Sequence, residues 1–173
     1  MRKAKRNGTG NAAEPDGDIF HLRGSIELQL QNAANGEPVG DRIKLNTVMT
    51  AGRRWVMEKI VSSTNATNSI NAIAVGTATA TLNSSNTALG SEITATVGRK
   101  TLGTVDATNI TSSAPSWAAS VLFATDQSIG TIGEVGLFNT SAATAGTMLS
   151  RATFSTFQKD TTNTLAVTYT ISN

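Results

Sequence analysis

At 173 residues the chain is long enough for one domain with a sizeable core, or for a domain plus an arm. It has no cysteine, which excludes disulfides, thiolate catalysis and cysteine-ligated zinc, and no run of about 18 apolar residues that would make a membrane-spanning helix. Only 15% of residues are charged, with Thr, Ser, Asn, Ala and Gly in their place; that is low for a free cytosolic enzyme and suits a surface covered by neighbours.

The formal net charge of +2 is unevenly spread. Arg2, Lys3, Lys5 and Arg6 supply four of the 14 basic groups, leaving 10 basic against 12 acidic groups elsewhere. Residues 1–18 read as an extended basic arm, with Asn7-Gly8-Thr9-Gly10-Asn11 and then the turn residues Glu14-Pro15-Asp16-Gly17. No apolar segment follows the basic start, so no secretory signal is expected. Four charges without interleaved aromatics are a weak signal for nucleic acid, and a solvated tail is the ordinary reading of such a composition; the arm is expected instead to be held by a neighbouring subunit.

The domain proper is expected over 19–173. In 19–31, Ile26, Leu28 and Leu30 alternate with Ser25, Glu27, Gln29 and Gln31, the period of a half-buried strand. Asn35-Gly36 is a hairpin turn signal, and 42–46 returns antiparallel with Ile43 and Leu45 inward. Thr50 reads as an N-cap for the single helix candidate, 51–62. Val56, Met57, Ile60 and Val61, with Arg53 and Trp55 flanking, form a stripe expected to pack on a sheet. A polar linker, 63–69, leads to the short apolar strand INAIAVG at 70–76, and 77–91 is a Thr/Asn/Ser loop without periodicity. Weak alternation in 92–109 predicts one or two strands, and Trp117, Ala119, Val121 and Phe123 predict another.

The stretch IGTIGEVGLFN at 129–139 carries Gly130, Gly133 and Gly136 at intervals of three. A phosphate-binding loop would open a helix, whereas Glu134-Val135-Gly136-Leu137-Phe138 reads as strand. These glycines are therefore expected to admit a bulge or a close backbone approach. Strand-like residues at 148–157 are followed by a turn and a final strand. There Leu165, Val167, Tyr169 and Ile171 face away from Ala166, Thr168 and Thr170, a pattern expected in the middle of a sheet. The predicted fold class is mainly β: an antiparallel β-sandwich, jelly-roll-like, of about eight strands, with one α-helix and an extended N-terminal arm.

Catalytic chemistry is poorly supplied. The single histidine, His21, falls with Asp16 and Asp18 in D-x-D-x-x-H, which lacks a rigid element and enough oxygen ligands for a cation. No G-x-S-x-G elbow, P-loop, dinucleotide fingerprint or zinc spacing occurs. The acids Glu92, Asp106, Asp126, Glu134 and Asp160 are scattered, and Glu134 is expected to pair with Arg151 or Arg99 in or beside the sheet. No catalytic residue, cofactor or metal is assigned, and the chain is not expected to be an enzyme.

Three blocks taken together carry a resemblance: LNTVMTAGRRWVMEKI at 45–60; INAIAVGTATATLNSSNTALGSEI at 70–93; and IGEVGLFN, GTMLSRATF and the Thr-rich closing strand. Their order and spacing resemble small structural proteins of tailed bacteriophages, including the N-terminal modules of tail-collar fibre proteins. Ala78 stands where that family usually has glycine, and Ser150 replaces the alanine before Arg151. No fibre shaft follows Asn173, which favours a compact adaptor, collar or decoration subunit.

The resemblance implies a non-enzymatic virion protein, made in the host cytoplasm and associated with the tail as a collar, baseplate or fibre-attachment subunit. Its partners would be copies of itself, in a trimer or higher ring, and other virion proteins, with neither nucleic acid nor membrane. Arg2, Lys3, Lys5 and Arg6 of the arm would meet carboxylates of a neighbour. Gly133, Glu134, Gly136, Leu137, Phe138 and Arg151 would form the structural sheet or interface. A capsid decoration or cement protein is the alternative. A host-receptor or carbohydrate-binding module is a further one; it would expose aromatics on loops, whereas Trp55 and Trp117 fall in helix and strand patterns.

Overall fold

The computed structural model describes residues 23–40, 43–45, 48–50, 52–53, 69–106 and 116–172. Among them nine strands occur. They are β1 (Arg23–Asn32), β2 (Ile43–Leu45), β3 (Ala72–Gly76), β4 (Arg99–Thr101), β5 (Thr104–Asp106), β6 (Ser116–Phe123), β7 (Gly130–Phe138), β8 (Met148–Lys159) and β9 (Asn163–Ser172). They form two antiparallel sheets, a five-stranded one in the order β2-β1-β9-β6-β5 and a four-stranded one in the order β4-β3-β7-β8. The basic arm, with Arg2, Lys3, Lys5 and Arg6, and the D-x-D-x-x-H segment lie outside the described residues.

Most of the expected helix at 51–62, including Trp55, also lies outside them. At its start the amide of Arg53 donates to the carbonyl of Met49, 3.0 Å. The amide of Thr50 donates to Ser84 O at 2.9 Å.

The five-stranded sheet follows the alternation in its sequence. β9 lies between β1 and β6 and is buried at every second residue from Leu165 to Ile171. In register, Ile26, Tyr169 and Ala119 form one inward row, Leu28, Val167 and Val121 the next, and Leu30, Leu165 and Phe123 the third. The small Ala119 leaves room beside the bulky Tyr169, as close packing requires. Ala119 apart, these side chains share one buried cluster with Ile73, Val75, Ile132, Val135, Leu137 and Ala152 of the other sheet.

The four-stranded sheet behaves differently. β3 is buried at all five residues and β7 at every residue from Ile132 to Phe138, with no alternation. A strand with that profile must be covered on both faces. The second face carries its own cluster of Ala74, Phe138 and Met148 with Leu89 of the 77–91 loop and Met49. The loop thus acts as a lid of backbone and small side chains over β3 and β7.

Two irregularities position that lid. Pairing of β7 with β8 jumps from Ile132↔Phe157 to Glu134↔Thr153, so β8 carries two extra residues opposite Gly133. A Cβ at Gly133 would meet Thr79 Cγ2 of the loop at 2.9 Å and Thr156 Cγ2 of the bulge at 3.1 Å. The missing side chain is what lets loop and bulge close over the strand.

Candidate functional site

Glu134 is the one acid within β7, and it points into the covered face with no solvent exposure. A carboxylate so placed needs a full set of donors. It has them. Oε1 accepts from the amide of Ser91 at 2.7 Å and more weakly from that of Ala78 at 3.4 Å. Oε2 accepts from the amide of Gly90 at 2.9 Å and from Nε of Arg151 at 2.8 Å, with Nη2 of Arg151 also 2.7 Å away. Arg151, on β8 and equally buried, uses Nη1 to reach Asn86 Oδ1 at 2.9 Å.

Both ends of the 77–91 loop and its middle are thereby tied to one charge pair. The glycines of the motif make room for it. A Cβ at Gly76 would run into Ser91 O and lie 2.5 Å from Glu134 Oε1, and one at Gly90 would lie 2.9 Å from Arg151 Nη2. Gly136, Leu137 and Phe138 extend the same strand. Gly136 packs beneath Leu89, Phe138 belongs to the covered cluster, and Leu137 turns to the core shared by the two sheets.

A second buried pair holds the β7–β8 connection. Arg99 of β4 meets Glu92 in a two-bonded fork, Nε to Oε1 at 2.9 Å and Nη2 to Oε2 at 2.7 Å. Its remaining nitrogen, Nη1, donates to the carbonyls of Thr140, Ala142 and Ala145, and the guanidinium lies 3.8 Å over the Phe138 ring. Planarity and five fixed donors suit arginine to this use. Arg99 is therefore not the partner of Glu134, which falls to Arg151.

Two further polar groups are sealed in the interior. Lys159 is fully buried at the end of β8, where Nζ donates to Ala124 O at 2.7 Å. Burial pushes its ammonium below the usual lysine range, against the opposing pull of Asp126 and Asp160. Tyr169 donates its hydroxyl to Ser150 Oγ, joining β9 to β8 through the core. Burial drives its phenol far above the ordinary value. Ser150 is thus the residue that satisfies the phenol.

Chemically, both Arg–Glu pairs are clasps. The Glu134 carboxylate, saturated by backbone amides and a guanidinium and without solvent contact, has no lone pair to offer a substrate. Asp126 stands apart in the exposed β6–β7 turn. Trp117 is half-buried on β6. Among the described residues no three His, Cys, Asp or Glu side chains gather to hold a metal, and no helix is long and apolar enough to cross a membrane. An open groove of about 570 Å³ runs beside β6, lined by Lys100, Thr101, Gly103, Ser120, Leu122 and Ala166 among others. Lys100 is its one charged lining residue, and its ammonium already donates to Leu122 O and Gln127 Oε1.

Compared with family models, curated proteins and solved structures, the chain finds no match.

The pairing of Glu134 had a signal in the sequence, because a lone charge in an apolar, glycine-punctuated strand must find a partner. The Glu92–Arg99 fork had none, since nothing in the seven-residue spacing announces that the intervening turn folds the two together. The backbone donors of Gly90 and Ser91 carry no side-chain identity and were equally silent.

Proposed function

We propose that the chain is a bacteriophage virion structural protein without catalytic activity. Its two sheets would form a β-sandwich of jelly-roll type, and it would assemble as a symmetric homo-oligomer in the tail, as a collar, baseplate or fibre-attachment subunit. The observation that carries this reading is that residues of all three sequence blocks pack on the covered side of the four-stranded sheet, two of the blocks meeting in its buried clasp. From the first block, Met49 packs under the covered face, and Gly52 lies so close to Leu149 that a Cβ there would overlap its carbonyl. From the second come Gly76, Gly90 and Ser91; from the third, Glu134, Gly136 and Arg151. Motifs scattered over a hundred positions thus serve one packed layer, and the Glu134–Arg151 charges in it are turned inward.

The outer face of the five-stranded sheet also favours a packed role. Ser25, Thr170 and Ala118 form one cross-strand row there, and Glu27, Thr168 and Ser120 the next. Apart from Glu27 the side chains of these two rows are small, which admits another subunit at close range. The large hydrophobics exposed among the described residues are Val39, Val97, Leu122 and Ile129, none of them aromatic, which disfavours a carbohydrate platform. A capsid decoration subunit would use the same architecture at a different address.

Deleting residues 1–10 tests the reading. The shortened chain is expected to fold with unchanged stability and to enter particles poorly when it replaces the full chain. Incorporation equal to the parent would remove the arm from assembly.

A further inference from the structure

The four large hydrophobics exposed among the described residues are not scattered. β1 ends at Asn32 opposite the start of β9, β6 ends at Phe123 opposite Leu165, and β7 begins at Gly130 opposite Lys159, the end of β8. The connections 33–40, 124–129 and 160–162 therefore meet at one end of the two sheets, where Ala33 N also donates to Thr162 O. The 93–98 turn joins them, with Ser128 Oγ donating to Val97 O at 2.8 Å and Ile129 N to Thr96 Oγ1 at 3.2 Å. Val39, Val97, Leu122 and Ile129 all stand on this end or at its rim.

Exposed carboxylates frame them: Glu37, Asp126 and Asp160. The nearby cations donate inward, Lys159 to Ala124 O and Lys100 to Leu122 O. Lys159 offsets part of the charge of Asp126 and Asp160, and Asp160 Oδ1 also accepts from Thr162 and Asn163. This leaves the other oxygen of Asp160 and the carboxylates of Glu37 and Asp126 facing outward. The end is also pre-formed. Gln127 bonds Ala124 in both directions, amide to carbonyl at 3.1 Å and side-chain oxygen to amide at 3.0 Å. A surface held in this way loses little freedom on binding.

The chain supplies a complement. Residues 1–6 carry four basic groups and no acid, while the rest of the chain is net acidic. The described chain begins at Arg23, paired with Ser172, at the opposite end of β1. Ten strand residues separate the two ends by about 33 Å. A subunit that presents its apolar, acidic end to the Arg23 end of the next one puts unlike surfaces in contact, head to tail.

We infer that the end built from the turns at 33–40, 93–98, 124–129 and 160–162 is the docking surface for the basic N-terminal segment of a second copy. Arg2, Lys3, Lys5 and Arg6 meet Glu37, Asp126 and Asp160, and Val39, Val97, Leu122 and Ile129 supply the apolar ground between them. This rests on the reading of the chain as a self-assembling subunit.

The absence of native cysteine makes the test clean. Full-length Lys5→Cys chains and differently tagged Asp126→Cys chains are mixed under oxidising conditions, with mass measured in parallel by light scattering. A disulfide between the two tags is expected. Its yield should fall about tenfold when Glu37→Gln is added or when salt shortens the screening length to a few ångströms. An assembled oligomer without the link, or with Lys5→Cys joined instead to Ser25→Cys at the far end, overturns the inference alone. A doubly substituted chain that closes on itself also overturns it. A monomer at every concentration overturns both the inference and the reading beneath it.

Discussion

Replacing Glu134 by Gln keeps the shape of the side chain and one acceptor oxygen but removes the charge facing Arg151. The guanidinium, with 3% of its surface exposed, is then left in the interior without a counter-ion. Breaking a buried pair from one side costs about 3–5 kcal/mol, and the adjacent loop can admit some water, so about 3 kcal/mol is expected. With a urea dependence of about 1–3 kcal/mol per molar, the unfolding midpoint should drop by about 1–3 M. Arg151→Met should cost about 1 kcal/mol less than removing the acid, because the stranded carboxylate keeps the amides of Gly90 and Ser91. The double variant Glu134→Leu with Arg151→Met should cost clearly less than the two singles added, since no charge is left unpaired.

Urea titrations followed by tryptophan fluorescence give the energies. Amide exchange over 77–91 shows whether the loop is what comes loose. If Glu134→Gln lies within about 0.5 kcal/mol of the parent, or if the singles add to the double, the clasp is not holding the lid.

Two other outcomes follow from the core. Tyr169 is the chain's one tyrosine, and burial raises its folded pKa well above 10.0. Its contribution to stability is fully present below pH 10 and is lost as pH climbs from there toward the folded value, because only the unfolded chain releases the proton. Tyrosinate absorbance should therefore appear together with loss of tertiary structure above pH 10; a simple titration of the folded protein near 10 would contradict the burial. Ser150→Ala leaves the buried phenol without its acceptor and should destabilise by about 1–3 kcal/mol, with Tyr169→Phe recovering part of the loss in the double variant.

The legible parts of the fold were those where one face is buried and the other open. Period-two alternation marked β6 and β9, where only every second residue of the inward stretch is buried, and β1, where Ile26, Leu28 and Leu30 turn to the core although Gln29 between them is buried as well. β7 is buried on both faces, so alternation was absent; its β-branched and glycine-rich sequence and its lone acid identified it instead. β4 and β5 have three residues each, too short to show a period. The role of 77–91 was hidden for a different reason. A loop of Thr, Asn and Ser reads as solvent-facing, yet this one hands its backbone amides to Glu134 and its Leu89 to the covered face. Its lack of periodicity is what a backbone-mediated lid looks like in sequence. Lys159 likewise gave no sign of burial, since its solvation is replaced by carbonyls that any residue could supply.

The most direct measurement is electron cryo-microscopy of intact phage particles assembled in cells that make this chain. A ring of symmetry-related copies in the tail is expected, each placing its two sheets against neighbours and its N-terminal basic segment against an adjacent copy. Particles that lack the chain, or that carry it as single, separated copies touching no other copy, would contradict the assignment as an assembling structural subunit.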